Sequence, residues 1–363
     1  MLVASALVGC TPPPGSCPEA ESGLRDLTAV QNLDIGTAYR AQFAQDDRCY
    51  DPTAIREFNS LTPEIATFSN RIAAVEGRYD FSEADAICSL AREHEASCQP
   101  HNIIWDPQDH PEWGIVPDWI RSQPPDQRRQ TMIRYVHDVV THFSGQVEAY
   151  TLVNEAFDGA GQVTGGTWNT LGDDSFIVDA FRAARLADPD AKLFYNDWGA
   201  EDINPKSDAI FALAQRLHAE TVPVEINGTI QQAPLLDGVG LQMHIGIGPG
   251  QAPDPTSVAA NIARLSGAGL LVRITEMDVR LPVAEDGTAT DADLQRQREL
   301  YDTMVQTCIN APNCSGITFW GFTDAHSWIT ENQSSFPGQG AAHPFDRQYR
   351  PKPAYQGIKD AMT

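Results

Sequence analysis

The sequence predicts one α/β catalytic-sized domain, a closed (β/α)8 barrel of the TIM type. Three observations carry this. Apolar strand candidates alternate with amphipathic helix candidates along most of the chain, the pattern of parallel strands joined by helical crossovers. The strands number about eight in roughly 330 residues, which suits a closed barrel better than an open doubly wound sheet. No glycine fingerprint follows an early strand, as a dinucleotide-binding fold would require. The one glycine-rich run, GIGPG at 246–250, is late, contains Pro249 and reads as a turn. Neither a P-loop nor a G-x-S-x-G elbow is present.

In chain order, LDIGTAY (33–39) is the first strand candidate, and PTAIREF (52–58) opens a helix with Pro52 near its start. FNSLT (58–62) is the second strand. SEADAICSLAREHEA (82–96) is a helix with Ser82 as N-cap and Asp85 three residues on, close to a capping box. SCQPHNIIW (97–105) is a strand ending in Trp. The amphipathic run 126–143 is a long helix, and VEAYTLVNEAF (147–157) is a strand ending at Asn154-Glu155. Helices at 174–188, 206–220, 254–269 and 291–310 alternate with strands at 191–198, 236–246, 272–281 and 315–324, and a last helix spans 353–362.

Charge and termini narrow the function. The formal charge is -24, from 25 Lys+Arg against 49 Asp+Glu. Such a surface repels phosphate backbones, which argues against a nucleic-acid partner, and it leaves neutral polymers open. The first nine residues are apolar and small, far too few to span a bilayer. Leu7-Val8-Gly9 before Cys10 resembles the end of a bacterial lipoprotein signal, without its basic n-region; an ordinary terminus with a chance Cys is the alternative. Pro12 to Gly15 then reads as a tether. Residues 1–30 are thus expected to be a truncated signal and tether ahead of a barrel over 31–363. The protein is expected outside the cytoplasm, secreted or anchored by lipid at Cys10.

Six Cys remain besides Cys10, an even number that fits disulfides in an exported protein. Cys308 and Cys314 close a short local loop. Cys88 with Cys98, and Cys17 with Cys49, follow from proximity alone. No spacing supports a zinc site.

VRITEMDVRL (272–281) poses the sharpest question, because Glu276 and Asp278 interrupt an apolar strand. Residues two apart share a face, and isolated buried charges are costly. Either the strand ends near Thr275 and both acids are solvated, or both have partners. In a barrel, chemistry gathers at the C-terminal strand ends. Read in order, those ends carry His101 and Trp105, Asn154 and Glu155, Asn196, Asp197 and Trp198, Gln242 and His244, Glu276 and Asp278, then Trp320 with Trp328 just beyond. Four of the seven Trp fall there. Aromatic faces and polar donors beside two Glu suit a sugar cleft. Trp113 and Trp119 are expected to pack locally in a loop, and His137, His142 and His218 to lie on solvated helix faces. Retaining glycoside hydrolysis needs two carboxyl groups about 5–5.5 Å apart, one ionised and one protonated.

TLVNEAF (151–157), YNDW (195–198), GVGLQMHI (238–245), RITEMDVRL (273–281) and GITFWGFTDAHSWI (316–329) together resemble glycoside hydrolase family 10, the endo-β-1,4-xylanases. IGTAY (35–39), REFNSLT (56–62), GRYDFSEAD (77–85) and PKPAYQGI (351–358) extend the resemblance from about residue 30 to the C-terminus. The Cys308–Cys314 spacing is similar to a bridge in that family. The resemblance implies Glu155 as general acid/base and Glu276 as nucleophile. It implies Asn154 on the 2-hydroxyl of the attacked sugar, and His244 held by Asp278 against Glu276. Trp320 and Trp328 would wall the glycone side, and Trp198, where the family usually has Tyr, the leaving-group side. His101, Trp105, Asn196 and Gln242 complete the expected substrate-binding set. No metal or organic cofactor is called for, and one barrel suffices as a monomer.

The match departs from the family at the glycone grip. A Glu-Asn pair followed by Lys is usual there; TPEIATF (62–68) keeps Glu64 but has Ile65 and Phe68, and Asp106 replaces a second His. The expected substrate is therefore xylan, with another or a substituted β-glycan as the alternative. A surface lipoprotein that binds glycan without turnover is the reading from a different class, and loss of either Glu would favour it.

Overall fold

The structure, a computed structural model, describes residues 17–18, 22–30, 33–108, 110–164 and 166–363. Cys10 and most of the expected signal and tether lie outside the described residues.

Thirteen strands are described: β1 (Asp34–Tyr39), β2 (Ser60–Pro63), β3 (Ser97–Cys98), β4 (His101–Ile104), β5 (Ala149–Asn154), β6 (Lys192–Asp197), β7 (Thr221–Ile226), β8 (Thr229–Pro234), β9 (Gly238–Leu241), β10 (His244–Gly246), β11 (Leu271–Pro282), β12 (Cys314–Phe319) and β13 (Gln339–Gly340). The main sheet runs β3-β2-β1-β12-β11-β9-β6-β5-β4, and each of these neighbouring pairs is parallel. Its two ends are halves of one expected strand, 97–105, interrupted at Gln99-Pro100. The Gln99 N–H donates to the Leu61 carbonyl and the Thr151 N–H to the Pro100 carbonyl, each at 3.0 Å. Consecutive residues thus serve the two open edges, and the sheet closes into the (β/α)8 barrel. Most strand positions are buried on both faces, as a barrel with an outer helical layer requires.

Helices form that layer because their apolar residues recur at three and four. Pro125–Phe143, for example, buries Met132, Tyr135, Val136, Val139, Val140 and Phe143. Starts are marked locally. Asn204 and Ser207 form a reciprocal capping box for Pro205–Ala219, and Asp254 caps Pro255–Gly267. Ser82, expected as a cap, is instead the first residue of the helix Ser82–Glu93. Asp80 does the work, accepting from the Ser82 N–H (3.1 Å) and hydroxyl (2.6 Å).

The expected strand 236–246 divides at Gln242-Met243, where Met243 takes a positive φ of 65°. β10 then pairs with the distal half of β11, which runs past the barrel rim and also holds β13. The antiparallel hairpin β7–β8 was not expected. Its Asn227-Gly228 turn has φ values of 52° and 75°, the primed-turn signature that the dipeptide announces.

Gly23 to Thr28 contact the barrel's elements, so contact with it starts before residue 31. Leu24 opens a 3-10 helix and is fully buried. Its N–H donates to Glu57 (3.0 Å), which also accepts from Tyr355 of the last helix (2.9 Å). Disulfides join Cys17–Cys49, Cys88–Cys98 and Cys308–Cys314. Among the described residues no helix is long and apolar enough to cross a membrane.

Candidate active site

The two glutamates enter one cleft from different strands. Glu155 follows the end of β5 with a left-handed φ of 55°, an uncommon conformation for a non-glycine residue. Its N–H continues the ladder, donating to the Asn196 carbonyl (3.0 Å). One carboxyl oxygen accepts from Gln242 Nε2 (2.8 Å) and Asn154 Nδ2 (3.2 Å), the other from Trp105 Nε1 (2.9 Å).

Glu276 sits midway along β11. Its Oε1 accepts from Asn196 Nδ2 (2.6 Å) and lies 3.6 Å from His101 Nε2. Its Oε2 is 3.2 Å from His244 Nε2. The other nitrogen of that imidazole is 2.7 Å from Asp278 Oδ2, which also accepts from Trp328 Nε1 (2.7 Å). Glu276 and Asp278 are both buried in the strand, and both are partnered. The solvated reading does not hold. An amide bridge joins the two glutamates, since Asn196 Nδ2 also donates to Asn154 Oδ1 (2.8 Å).

Electrostatics separates the groups. Burial raises the Glu155 carboxyl to about 7, aided by the charge of Asp197 and, more weakly, of Glu276. Burial works against a charged His244, but Asp278 and Glu276 outweigh it and lift the imidazole to about 10. His101 is shifted down, chiefly by burial. The Glu155 carboxyl therefore keeps its proton well above the usual carboxylate range, and the His244 imidazole is favoured as a cation beside Glu276.

His101, Trp105, Asn154, Trp198, Gln242, His244, Trp320 and Trp328 line the cleft with both glutamates. Trp320 lies 4.7 Å from the His101 ring and Trp328 4.7 Å from His244. Asn196 and Asp278 do not reach the cleft surface. Both are fully buried beneath it, and Asn196 spends its groups on Glu276, Asn154 and the Thr275 hydroxyl (2.6 Å). Asn196 is thus placed to orient other side chains instead of contacting sugar.

Two of the three altered positions fall on one wall. Ile65 and Phe68 line the cleft, with Phe68 5.2 Å from Trp105. Glu64 is held by Arg40, which also reaches Glu331 at 3.0 Å. Asp106 turns away and fastens the loop at Thr167, accepting from its N–H (2.6 Å). Trp113 packs locally as expected, stacked on His110 at 4.2 Å, and also extends this wall; Trp119, expected to pack locally in a loop, lies in the helix Asp118–Arg121 and donates to the distant Ala73 carbonyl (2.8 Å). His142 and His218 also differ from expectation. One stacks on Phe81 and meets Asp85 (2.7 Å), and the other meets the Leu236 carbonyl (2.9 Å).

Sequence reasoning passed over Arg40, Tyr195, Lys206, Gly240 and Thr275. Only GVG in 238–240 offered a signal, since a glycine inside a strand marks close approach. A Cβ at Gly240 would fall on Asn196 Oδ1 and 2.8 Å from Thr275 Cγ2.

Comparison with known proteins identifies the family. The profile of glycosyl hydrolase family 10 matches residues 23–361. Endo-1,4-beta-xylanase B of Thermotoga neapolitana is 32% identical, over 98% of this chain and 95% of that protein. The Agaricus bisporus endo-1,4-beta-xylanase is 31% identical, over 93% and 90%. Among solved structures, native xylanase 10B from Thermotoga maritima superposes with a TM-score of 0.82 at 33% identity, over 94% of this chain and 98% of that one. Xylanase 10B from Thermotoga petrophila in complex with xylobiose gives 0.83 at 32%, over 95% and 98%. With the family profile spanning nearly the whole barrel, the chain belongs to glycosyl hydrolase family 10.

Proposed function

We propose that the protein is a retaining endo-1,4-β-xylanase, with Glu276 as nucleophile and Glu155 as general acid and then base. The observation that carries the assignment is the asymmetry of the two buried glutamates. Glu155 holds its proton to about pH 7, as a donor to the leaving oxygen must. Glu276 faces the Asn196 amide and the His244 imidazolium, partners suited to a carboxylate that attacks. Attack on the anomeric carbon forms the glycosyl–enzyme bond while Glu155 protonates the departing oxygen. Water activated by Glu155 then displaces Glu276. Asn154 is placed for the 2-hydroxyl, and Trp320 and Trp328 for the apolar faces of the glycone sugars.

The wall of Ile65, Phe68 and Trp113, with Arg40 committed to Glu64, favours a glycone end that binds xylan through apolar contact. Xylan with side groups is the second substrate this wall supports. Three disulfides and the Leu7-Val8-Gly9-Cys10 run support an extracytoplasmic protein with lipid on Cys10. Radiolabelled fatty acid incorporated by the parent and not by Cys10→Ser tests the anchor.

The direct test is product formation on linear xylan, arabinoxylan, glucuronoxylan, mixed-linkage glucan and cellulose. Short xylo-oligosaccharides with first-formed β-anomers are expected from the parent and none from Glu276→Ala. Activity confined to a non-xylan glycan would move the substrate and keep the mechanism. Binding without turnover would remove the enzyme assignment.

A further inference from the structure

Lys206 is in an expensive place. It is buried in the first turn of Pro205–Ala219, where the helix dipole disfavours a cation. Its Nζ is 2.7 Å from Asp197 Oδ1, with both side chains essentially inaccessible. Buried ion pairs seldom repay their desolvation in stability, so the reason for this one lies in what it holds.

It holds two things. Its Nζ sits 3.6 Å from the centre of the Trp198 ring, within cation–π range. Trp198 lines the cleft and is 41% exposed, so its outer face is free for sugar. Asp197, on the other side, accepts from the Tyr195 hydroxyl (2.6 Å), which itself accepts from the Ala156 N–H (2.9 Å). Ala156 directly follows Glu155. One ammonium group therefore backs an aromatic platform and anchors the left-handed turn that presents Glu155.

We infer that Lys206 is a positioning residue coupling the Trp198 platform, on the leaving-group side, to the carboxyl environment of Glu155. The inference rests on the assignment of Glu155 as acid/base. The groups facing Glu155 are Asp197 and Tyr195 of β6 with Lys206 behind them, and Glu276 of β11 with its histidines His101 and His244. Of these, the Lys206–Asp197 pair is the one covered by Trp198. The Trp198 ring itself keeps water off the pair, which keeps Asp197 effective in holding the proton on Glu155.

The test is the pH profile of kcat/KM on linear xylan for the parent and Trp198→Leu. A residue that only offers sugar a flat face raises KM and leaves the profile in place. Under the coupling, the uncovered pair is solvated, Asp197 is screened from Glu155, and the alkaline limb moves to lower pH by on the order of half a unit. Lys206→Met is expected to lose about tenfold to a hundredfold in kcat/KM. The double variant is expected to be no worse than Lys206→Met alone, because the two side chains act as one unit. An unmoved limb in Trp198→Leu, or losses that multiply in the double variant, overturns the inference while leaving the xylanase reading intact. If Lys206→Met does not fold, the Trp198→Leu profile decides alone. A parent that turns over no β-glycan overturns both.

Discussion

Asn196 shows how much one buried amide can decide. Its Nδ2 bridges Asn154 and Glu276, and its Oδ1 is fixed by Thr275. Gly240 leaves the space this requires. Gly240→Ala is expected to displace Asn196 and lower kcat on xylan about tenfold or more, since small misplacements at a reacting centre cost heavily. Steady-state kinetics with circular dichroism as a fold control checks it. Glu155 gives a second prediction. With its carboxyl at about 7, raised mainly by burial, the acid form is lost as pH rises through that value. kcat/KM on xylan should therefore fall above about pH 7. Asp197→Asn removes a charge that holds the proton on Glu155, so it should move that limb to lower pH.

Between elements, one close fit is at the last helix. Pro353–Met362 lies against Asp291–Ile309, and a Cβ at Gly357 would fall on the Arg298 carbonyl oxygen. Backbone cannot yield as a flexible side chain can. Gly357→Ala should cost about 1–3 kcal/mol, read as a lower denaturant midpoint with an unchanged m-value. At the opposite end of β11, the strand's length matters more than its packing. It carries Glu276 inside the barrel and Asp278 at the rim, so one element positions the nucleophile and the group that holds its histidine.

For the molecule as a whole, the barrel closes at Gln99-Pro100, and the Cys17–Cys49 bridge ties the N-terminal segment to the start of Tyr50–Glu57. That bridge closes the longest loop of the three described, with a sequence separation of 32. Replacing both cysteines by Ser should cost about 2–4 kcal/mol, seen as a lower thermal midpoint under non-reducing conditions. Treating the parent with a reductant should lower its midpoint at least as far.

The sequence by itself determined the alternation of strands and helices, and with it the barrel. Period and length are local properties that a chain cannot hide. It also determined which residue types stand at the strand ends, including Glu155 and Glu276, because acids in apolar strands are costly enough to be conspicuous. It placed His244 and Asp278 beside Glu276 only through the family resemblance, and it left other side chains of the site unread. Lys206 comes from a helix start, Tyr195 lies inside a strand, and Trp113 follows a loop; none differs locally from an ordinary surface or core residue. Only the tertiary structure decided that Asn196 lies under the cleft and that Asp106 fastens a loop. It also placed Lys206 so that Asp197 and Trp198 share one ammonium group. The physical reason is range: backbone propensity is set by near neighbours in sequence, while burial and charge pairing are set by neighbours in space.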